Sequence, residues 1–456
     1  MDTTIGERLA RHFAGLDYER IPPKNVADAK QLVLDYLGVA IAGSQTESGR
    51  IAREFAVTTG GVPEATLIPS GQRVPALHAA FANAIAAHSI ELDDVDVLAL
   101  FHFSPPVVSA ALATAERVKA SGRDFIAAVV AGCEMMARLS EAVNPALRDR
   151  GFHTTPSCGV FGAAVAAGRL LRLDAAGIVS ALGLAGAQAS GLMEMYGPSM
   201  QKRFNPGPAA RNGVTAAIMA EIGFTGAATI FDGERGFCRA FGDGANLERL
   251  TRGLGTEFPI FIEFKPYACA RPIHNAIDCA LSIRRQHNPP LEGIRGIVVQ
   301  RHPAWAQYHS IPRPATYHEA QVSLPYSVAV ALKEGAALLP QYTGEKLADR
   351  AIGRLAELVR IVPDPSLPRG VSCRMSVEMV DGRVLTAQVD HPKGSIENPM
   401  TPDEMRGKVH QLADSVIGAP QVARLIETAG RIEDVKDIGE LVNVTIQRAR
   451  LGCDGP

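Results

Sequence analysis

The chain has 456 residues, enough for two or three domains with ample core burial. Its net charge of −2 leaves no footprint for nucleic acid or an anionic membrane, and 46% hydrophobic but only 5% aromatic residues point to aliphatic helices packed closely on helices. No run reaches the ~20 uninterrupted apolar residues of a membrane span. Residues 1–20 carry Asp2, Glu7, Arg8 and Arg11 where a signal peptide would be apolar, so a cytoplasmic protein is expected.

The first 250 residues read mainly as helix. Residues 25–42 place Val26, Ala29, Leu32, Val33, Tyr36, Leu37 and Ala40 on one stripe, with Asn25 as the expected N-cap. Residues 76–89 and 106–120 read as Ala-rich buried helices, and a further helix starts at Asp124 and runs to 143. In 151–171, His153 stands in a Gly/Thr/Pro/Ser loop just before a helix of small residues (Gly159, Gly162, Ala163, Ala164, Ala166, Ala167, Gly168). Small side chains let a second backbone approach, so this helix is expected at the centre of the fold. A histidine before its N-terminus stands where anions bind readily. Helices at 174–190 and 210–222 follow.

The pattern changes near residue 257. Residues 258–264 and 294–301 read as strands, and 272–286, 318–335 and 344–360 as helices. Residues 372–389 form the clearest hairpin: Cys373, Met375, Val377 and Met379 alternate with polar residues, and Asp381-Gly382 supplies the turn. Helical pattern returns after Pro399. The division expected is a helical body, 1–263 and 397–456, with an α+β segment at 264–396 inserted between its parts. A ligand cleft at such a seam is a common arrangement.

The seven cysteines (Cys133, Cys158, Cys238, Cys269, Cys279, Cys373, Cys453) are scattered without a CxxC pair, which argues against structural zinc or an iron–sulfur cluster and fits reduced thiols. Three segments carry candidate chemistry. Residues 88–108 gather His88, His102, Glu91, Asp93, Asp94 and Asp96, a composition suited to divided acid and base roles or to a divalent metal; an acidic solvated loop is the other reading, and the flanking apolar helices argue against it. Residues 200–213 place Lys202 and Arg203 before a helix start, as a carboxylate site would or as any basic loop does. Residues 264–278 set Lys265, Arg271 and His274 around a Pro-punctuated turn, and Tyr326 opens an apolar helical run. No GxSxG elbow, no GxGxxG after a strand and no GxxxxGK[ST] loop occurs, so nothing indicates a serine hydrolase, a dinucleotide enzyme or an NTPase.

Taken together, HSIELDD with HFSPPV downstream, GFHTTPSCGVFGAA, QKRFNPGPAARNGV, GFTGAATIFDGERGF, KPYACARPIH, VSLPYSVAVAL and PKGSIENPM make the chain resemble the MmgE/PrpD family over nearly its whole length. That resemblance implies a large helical domain built from both chain ends plus an inserted α+β lid, a homodimer, and no metal or organic cofactor. It implies a pocket containing His102, His153, Lys202, Lys265, His274 and Tyr326, with the acid of the family motif at Glu91. Asp93, Arg203 and Thr154 join Tyr326 as candidate substrate contacts. Three positions depart from the family pattern: Glu91 stands for Asp, Val95 for Thr and Asn205 for His, and the gap from Glu91 to His102 is one residue longer.

The implied chemistry acts at a carbon next to a carboxylate of a di- or tricarboxylic acid. Lys202 and Lys265 would stabilise the carbanion, His153 or His102 would exchange its proton, and His274 or Glu91 would protonate a departing hydroxyl. A 2-methylcitrate dehydratase-like lyase is the leading expectation. Decarboxylation of the cis-aconitate type or epimerisation by the same pocket is the alternative. A non-catalytic carboxylate-binding protein and a metal enzyme using His88, Glu91, Asp93 and His102 stand behind them.

Overall fold

The computed structural model describes residues 3–97, 100–195, 199–243, 245–368 and 372–447; Cys453 lies outside them. The other six cysteines are buried and unbridged. The fold is mainly helical with an α+β region.

The helix Thr154–Leu170 lies at the centre, against the helices Ser104–Val118, Gly122–Val143, Ala175–Gly186 and Pro206–Glu221. Its small residues set the spacing. A Cβ on Gly162 or on Gly132 would fall 2.7 Å from the other's carbonyl oxygen, and one on Gly213 would fall 2.4 Å from Ala163 Cβ. These backbones touch because no side chain separates them.

Several helix starts follow from capping. Ser121 accepts from Asp124 N–H and opens the helix Gly122–Val143, and Asp174 accepts from Gly177 N–H. The first long helix, Pro23–Gly43, begins ahead of Asn25, because Pro23 fills the first helical position where its missing N–H leaves nothing unsatisfied. Among the described residues, no helix is long and apolar enough to cross a membrane.

The α+β region is built on one sheet whose order is Val359–Pro363, Ile294–Arg301, Cys373–Met379, Val384–Val389. The first pair is parallel and the other two are antiparallel. The hairpin closes at Gly382, φ 89°, with Asp381 Oδ1 accepting Arg383 N–H at 3.0 Å. The helix His274–His287 covers the buried face.

Three expectations for this region change. Residues 258–264 form no strand among the described residues; Glu263 makes one isolated bridge to Val95, and Phe264 N–H then bonds Gly394. Its apolar alternation has no neighbouring strand to complete a ladder. The 344–360 segment ends its helix at Glu357 and becomes an edge strand, held by a parallel pairing that local pattern does not encode. The 318–335 segment breaks at Gln321–Ser323, where Ser323 caps the helix Leu324–Glu334 and Pro325 occupies its first turn. The C-terminal helix Pro402–Ile417 packs back on Pro23–Gly43.

Candidate active site

The helix Ala76–His88 ends in a turn that leads to Ser104–Val118. Asp94 holds that second helix: its carboxylate accepts Phe103 N–H at 2.7 Å and Ser104 N–H at 3.0 Å. Glu91 lies in the left-handed region at φ 56°, uncommon for a residue with a side chain. Its buried carboxylate meets three cations. Lys202 Nζ and Arg203 Nη1 both contact Oε1, and Lys265 Nζ lies 3.3 Å from Oε2.

Burial opposes ionisation of Glu91, but Lys202, Arg203 and Lys265 outweigh it and hold the carboxyl well below its usual range. Burial brings the Lys202 ammonium down to about 8 despite the support of Glu91. At Lys265 burial acts the same way, yet Glu91 and Asp93 outweigh it and the ammonium is raised. Arg203 extends to Gln321, with Nη2 3.0 Å from Oε1.

Beside this hub, Asp93 gathers two imidazoles. His88 Nδ1 donates to Oδ2 at 2.7 Å, and His102 Nδ1 lies 3.1 Å from the same oxygen and on the Asp94 carbonyl. Both partners of His102 Nδ1 are acceptors, so that nitrogen carries its proton and Nε2 has no partner among the described residues. His102 N–H bonds Thr155 Oγ1 at 3.2 Å, which ties it to the start of the central helix.

His153 is the N-cap residue of that helix, and its side chain makes no capping bond. Asn205 Nδ2 donates to His153 Nδ1 at 3.0 Å. Burial together with the charges of His88, Lys202 and His102 keeps His153 well below the ordinary imidazole range. It is therefore neutral with its proton on Nε2. Asn205 is thus the residue that fixes this tautomer.

His274, Tyr326 and Thr154 make hydrogen bonds of their own. His274 Nε2 donates to the Cys269 carbonyl at 3.2 Å, and Arg271 Nη1 donates to Nδ1 at 3.1 Å, so both ring nitrogens are occupied. Tyr326 turns its hydroxyl to the Gln341 carbonyl at 2.7 Å. Thr154 Oγ1 faces Asn144 at 3.4 Å. The resemblance implies His274 and Tyr326 in the pocket and Thr154 as a substrate contact; in the structure the side chains of all three are engaged by these hydrogen bonds.

Other side chains come in unannounced. Gln321 joins the cluster through Arg203, and the charges of Glu91 and Arg203 act on Tyr317 and His318. Glu91 and Lys202 act on His309, which burial lowers to about 4. Tyr317, His318 and Gln321 lie at or next to the start of the segment read as one helix, and His309 lies ahead of it; no motif marked any of the four.

His88, Asp93 and His102 bring one ligand atom each within 4.8 Å of one another, a spacing compatible with a metal ion. Lys265 Nζ lies 3.6 Å from Asp93 Oδ1, however, and a fixed cation at that distance opposes a second one. A cavity of about 780 Å³ lined by Leu100, Asn144, Arg148, Arg252 and Phe258, among others, is lined by neither cluster lysine.

The MmgE/PrpD N-terminal domain description matches residues 7–250, and the MmgE/PrpD C-terminal domain description matches 267–434. Similar proteins include the cis-aconitate decarboxylase-like protein oryM of Aspergillus oryzae, 30% identical over 92% of this chain and 93% of that protein. A cis-aconitate decarboxylase of Aspergillus terreus is 28% identical over 96% of this chain and 95% of its own length. The human cis-aconitate decarboxylase is 26% identical over 97% of this chain and 94% of its own. With both domain descriptions covering most of its length, the chain belongs to the MmgE/PrpD family.

Proposed function

We propose that this protein is a lyase that removes CO2 from a di- or tricarboxylic acid of the cis-aconitate type, at the site formed by Lys202, Arg203, Lys265, Glu91, Asp93, His102 and His153. The observation that carries the reading is the convergence of three cations and two histidines with free Nε2 atoms, from four separate chain segments. Relatives named as cis-aconitate decarboxylases or decarboxylase-like, matched over 93–95% of their length, support this reaction over dehydration of 2-methylcitrate.

The proton inventory supports the same choice. Dehydration needs an acid for the departing hydroxyl. His274 has both nitrogens occupied, and Glu91 is held ionised by its three cations. Decarboxylation needs no such acid. The bond to the leaving carboxylate breaks, CO2 departs, and the electron pair stays on carbon, spread towards a neighbouring carboxylate. Lys202 and Lys265 stabilise that charge in a site where water is largely excluded. His102 takes a proton from solvent on Nε2, with Nδ1 keeping its own on Asp93 and the Asp94 carbonyl, and passes it to the carbon to complete the new C–H bond, while His153 Nε2–H binds a carboxylate oxygen. In this reading the protein works as a cytoplasmic homodimer on a small polycarboxylate, without a metal.

Incubation with cis-aconitate, 2-methylcitrate, citrate and related acids, followed by mass spectrometry and CO2 detection, tests the proposal. Release of CO2 is the expected result. Water elimination without CO2 would restore the dehydratase reading, solvent deuterium entering without elimination would indicate epimerisation, and binding without any turnover would indicate a carboxylate-binding protein.

A further inference from the structure

Three consecutive backbone carbonyls beneath the Glu91 carboxylate are each held by a long side chain from a different part of the chain. Gln321 Nε2 donates to the Ile90 carbonyl at 2.9 Å. Lys265 Nζ donates to the Glu91 carbonyl at 3.1 Å. Lys408 Nζ donates to the Leu92 carbonyl at 2.7 Å. Lys408 comes from the C-terminal helix, and Gln321 from the break between two helices of the α+β region.

Both are buried and hold further partners. Gln321 Nε2 also donates to the Ala268 carbonyl at 2.9 Å, and its Oε1 receives Arg203. Lys408 pairs with Asp35 at 2.5 Å, and Asp35 is completely buried on the Pro23–Gly43 helix. A loop residue with a side chain at positive φ persists where its surroundings over-determine it. Here the surroundings are these three donors.

We propose that Lys408 and Gln321 are positioning residues, which fix the Ile90–Leu92 backbone so that Glu91 meets Lys202, Arg203 and Lys265 together. The proposal rests on the reading of that cluster as the active site. It makes the site a product of the helical body, the lid and the C-terminal segment at once. Neither residue touches the reacting atoms, so loosening either one shifts Glu91 and its lysines without removing a charge from the cluster. A displacement near 1 Å at a reacting group costs ~100-fold in rate.

The test uses the full-length protein with Lys408→Met, Lys408→Arg and Gln321→Ala, and Lys333→Met at a half-exposed ion pair as control. Where Lys408→Met fails to fold, Asp35→Asn combined with Lys408→Met removes both charges of the buried pair. Three readouts are taken: kcat against KM on the best polycarboxylate substrate, the thermal transition, and amide hydrogen exchange across residues 88–96. Lys408→Met and Gln321→Ala should lower kcat ~10- to 100-fold with KM within about threefold, and should speed exchange in that loop. Lys408→Arg should recover at least part of both, and Lys333→Met should change neither. Wild-type kcat and wild-type loop exchange in the folded variants overturn the proposal. Exchange speeded in a protein whose wild type turns over no polycarboxylate upholds the clamp and overturns the function proposed for the cluster.

Discussion

Two buried charge networks in the helical body differ in how completely they are closed. Around Arg138 every guanidinium edge is used: Nε on Glu134 at 2.7 Å, Nη1 on the Arg252 carbonyl at 2.6 Å, and Nη2 on the Glu257 carbonyl at 2.7 Å. The second oxygen of Glu134 meets His12 Nε2 at 2.9 Å. Around Glu91 the network stays open. Arg203 Nε, His88 Nε2 and Asp93 Oδ1 are buried without a hydrogen bond among the described residues, and the Lys202 and His102 side chains keep 13% and 12% of their exposure. Unsatisfied buried polar atoms are costly. Spare donors and acceptors gathered at one place are available to a ligand. Substitutions in the two networks should therefore divide cleanly between stability and turnover.

The largest effect is expected at Arg138→Ala. It strands the buried Glu134 carboxylate, and breaking such a pair costs ~3–5 kcal/mol, a large share of a typical domain's stability. Urea denaturation should show this loss, with the rate per folded molecule unchanged. Lys202→Ala should do the reverse. Glu91 retains Arg203 and Lys265, so the denaturation midpoint should move little, while kcat falls ~10²–10³-fold, as when one electrostatic stabiliser of a transition state is removed. His153→Ala should behave like Lys202→Ala. A stability loss at Lys202→Ala as large as that at Arg138→Ala would erase the distinction between the two networks.

A pH profile sharpens the comparison. Burial lowers Lys202 to about 8, so its ammonium is largely present at pH 7 and is lost as pH rises through 8. The rate should fall up to tenfold per pH unit above that point. Lys202→Arg should remove this alkaline limb if the variant retains turnover, because a guanidinium keeps its charge throughout the range. A limb that survives the substitution would assign the titration to another group.

Much of the architecture was legible because it rests on local signals: the small-residue run of 159–168 and the alternation and Asp-Gly turn of 372–389. The edge strand Val359–Pro363 was not, since its pairing with Ile294–Arg301 is parallel and distant in sequence. At the site, the motif order marked Glu91, Lys202 and Lys265. It could not show which way a side chain turns. His274 spends its ring on Arg271 and a backbone carbonyl, and Tyr326 spends its hydroxyl on another. Gln321 and Lys408 carry no sequence signal at all, because what they hold is backbone.

The smallest expected effect separates orientation from charge within the open network. Asn205 adds no charge, yet its amide donates to His153 Nδ1 and so places the imidazole proton on Nε2. In Asn205→Ala that constraint disappears, and neutral His153 divides between its two tautomers. The competent fraction should fall by about half, and slack in the ring should bring the total loss in kcat to less than about tenfold. Nitrogen-15 chemical shifts of His153 read the tautomer directly, and the alkaline limb set by Lys202 should stay where it is. An Nε2–H tautomer as pure in Asn205→Ala as in the wild type would mean that another group orients the ring. A rate loss beyond ~100-fold would place Asn205 in contact with the substrate rather than behind His153.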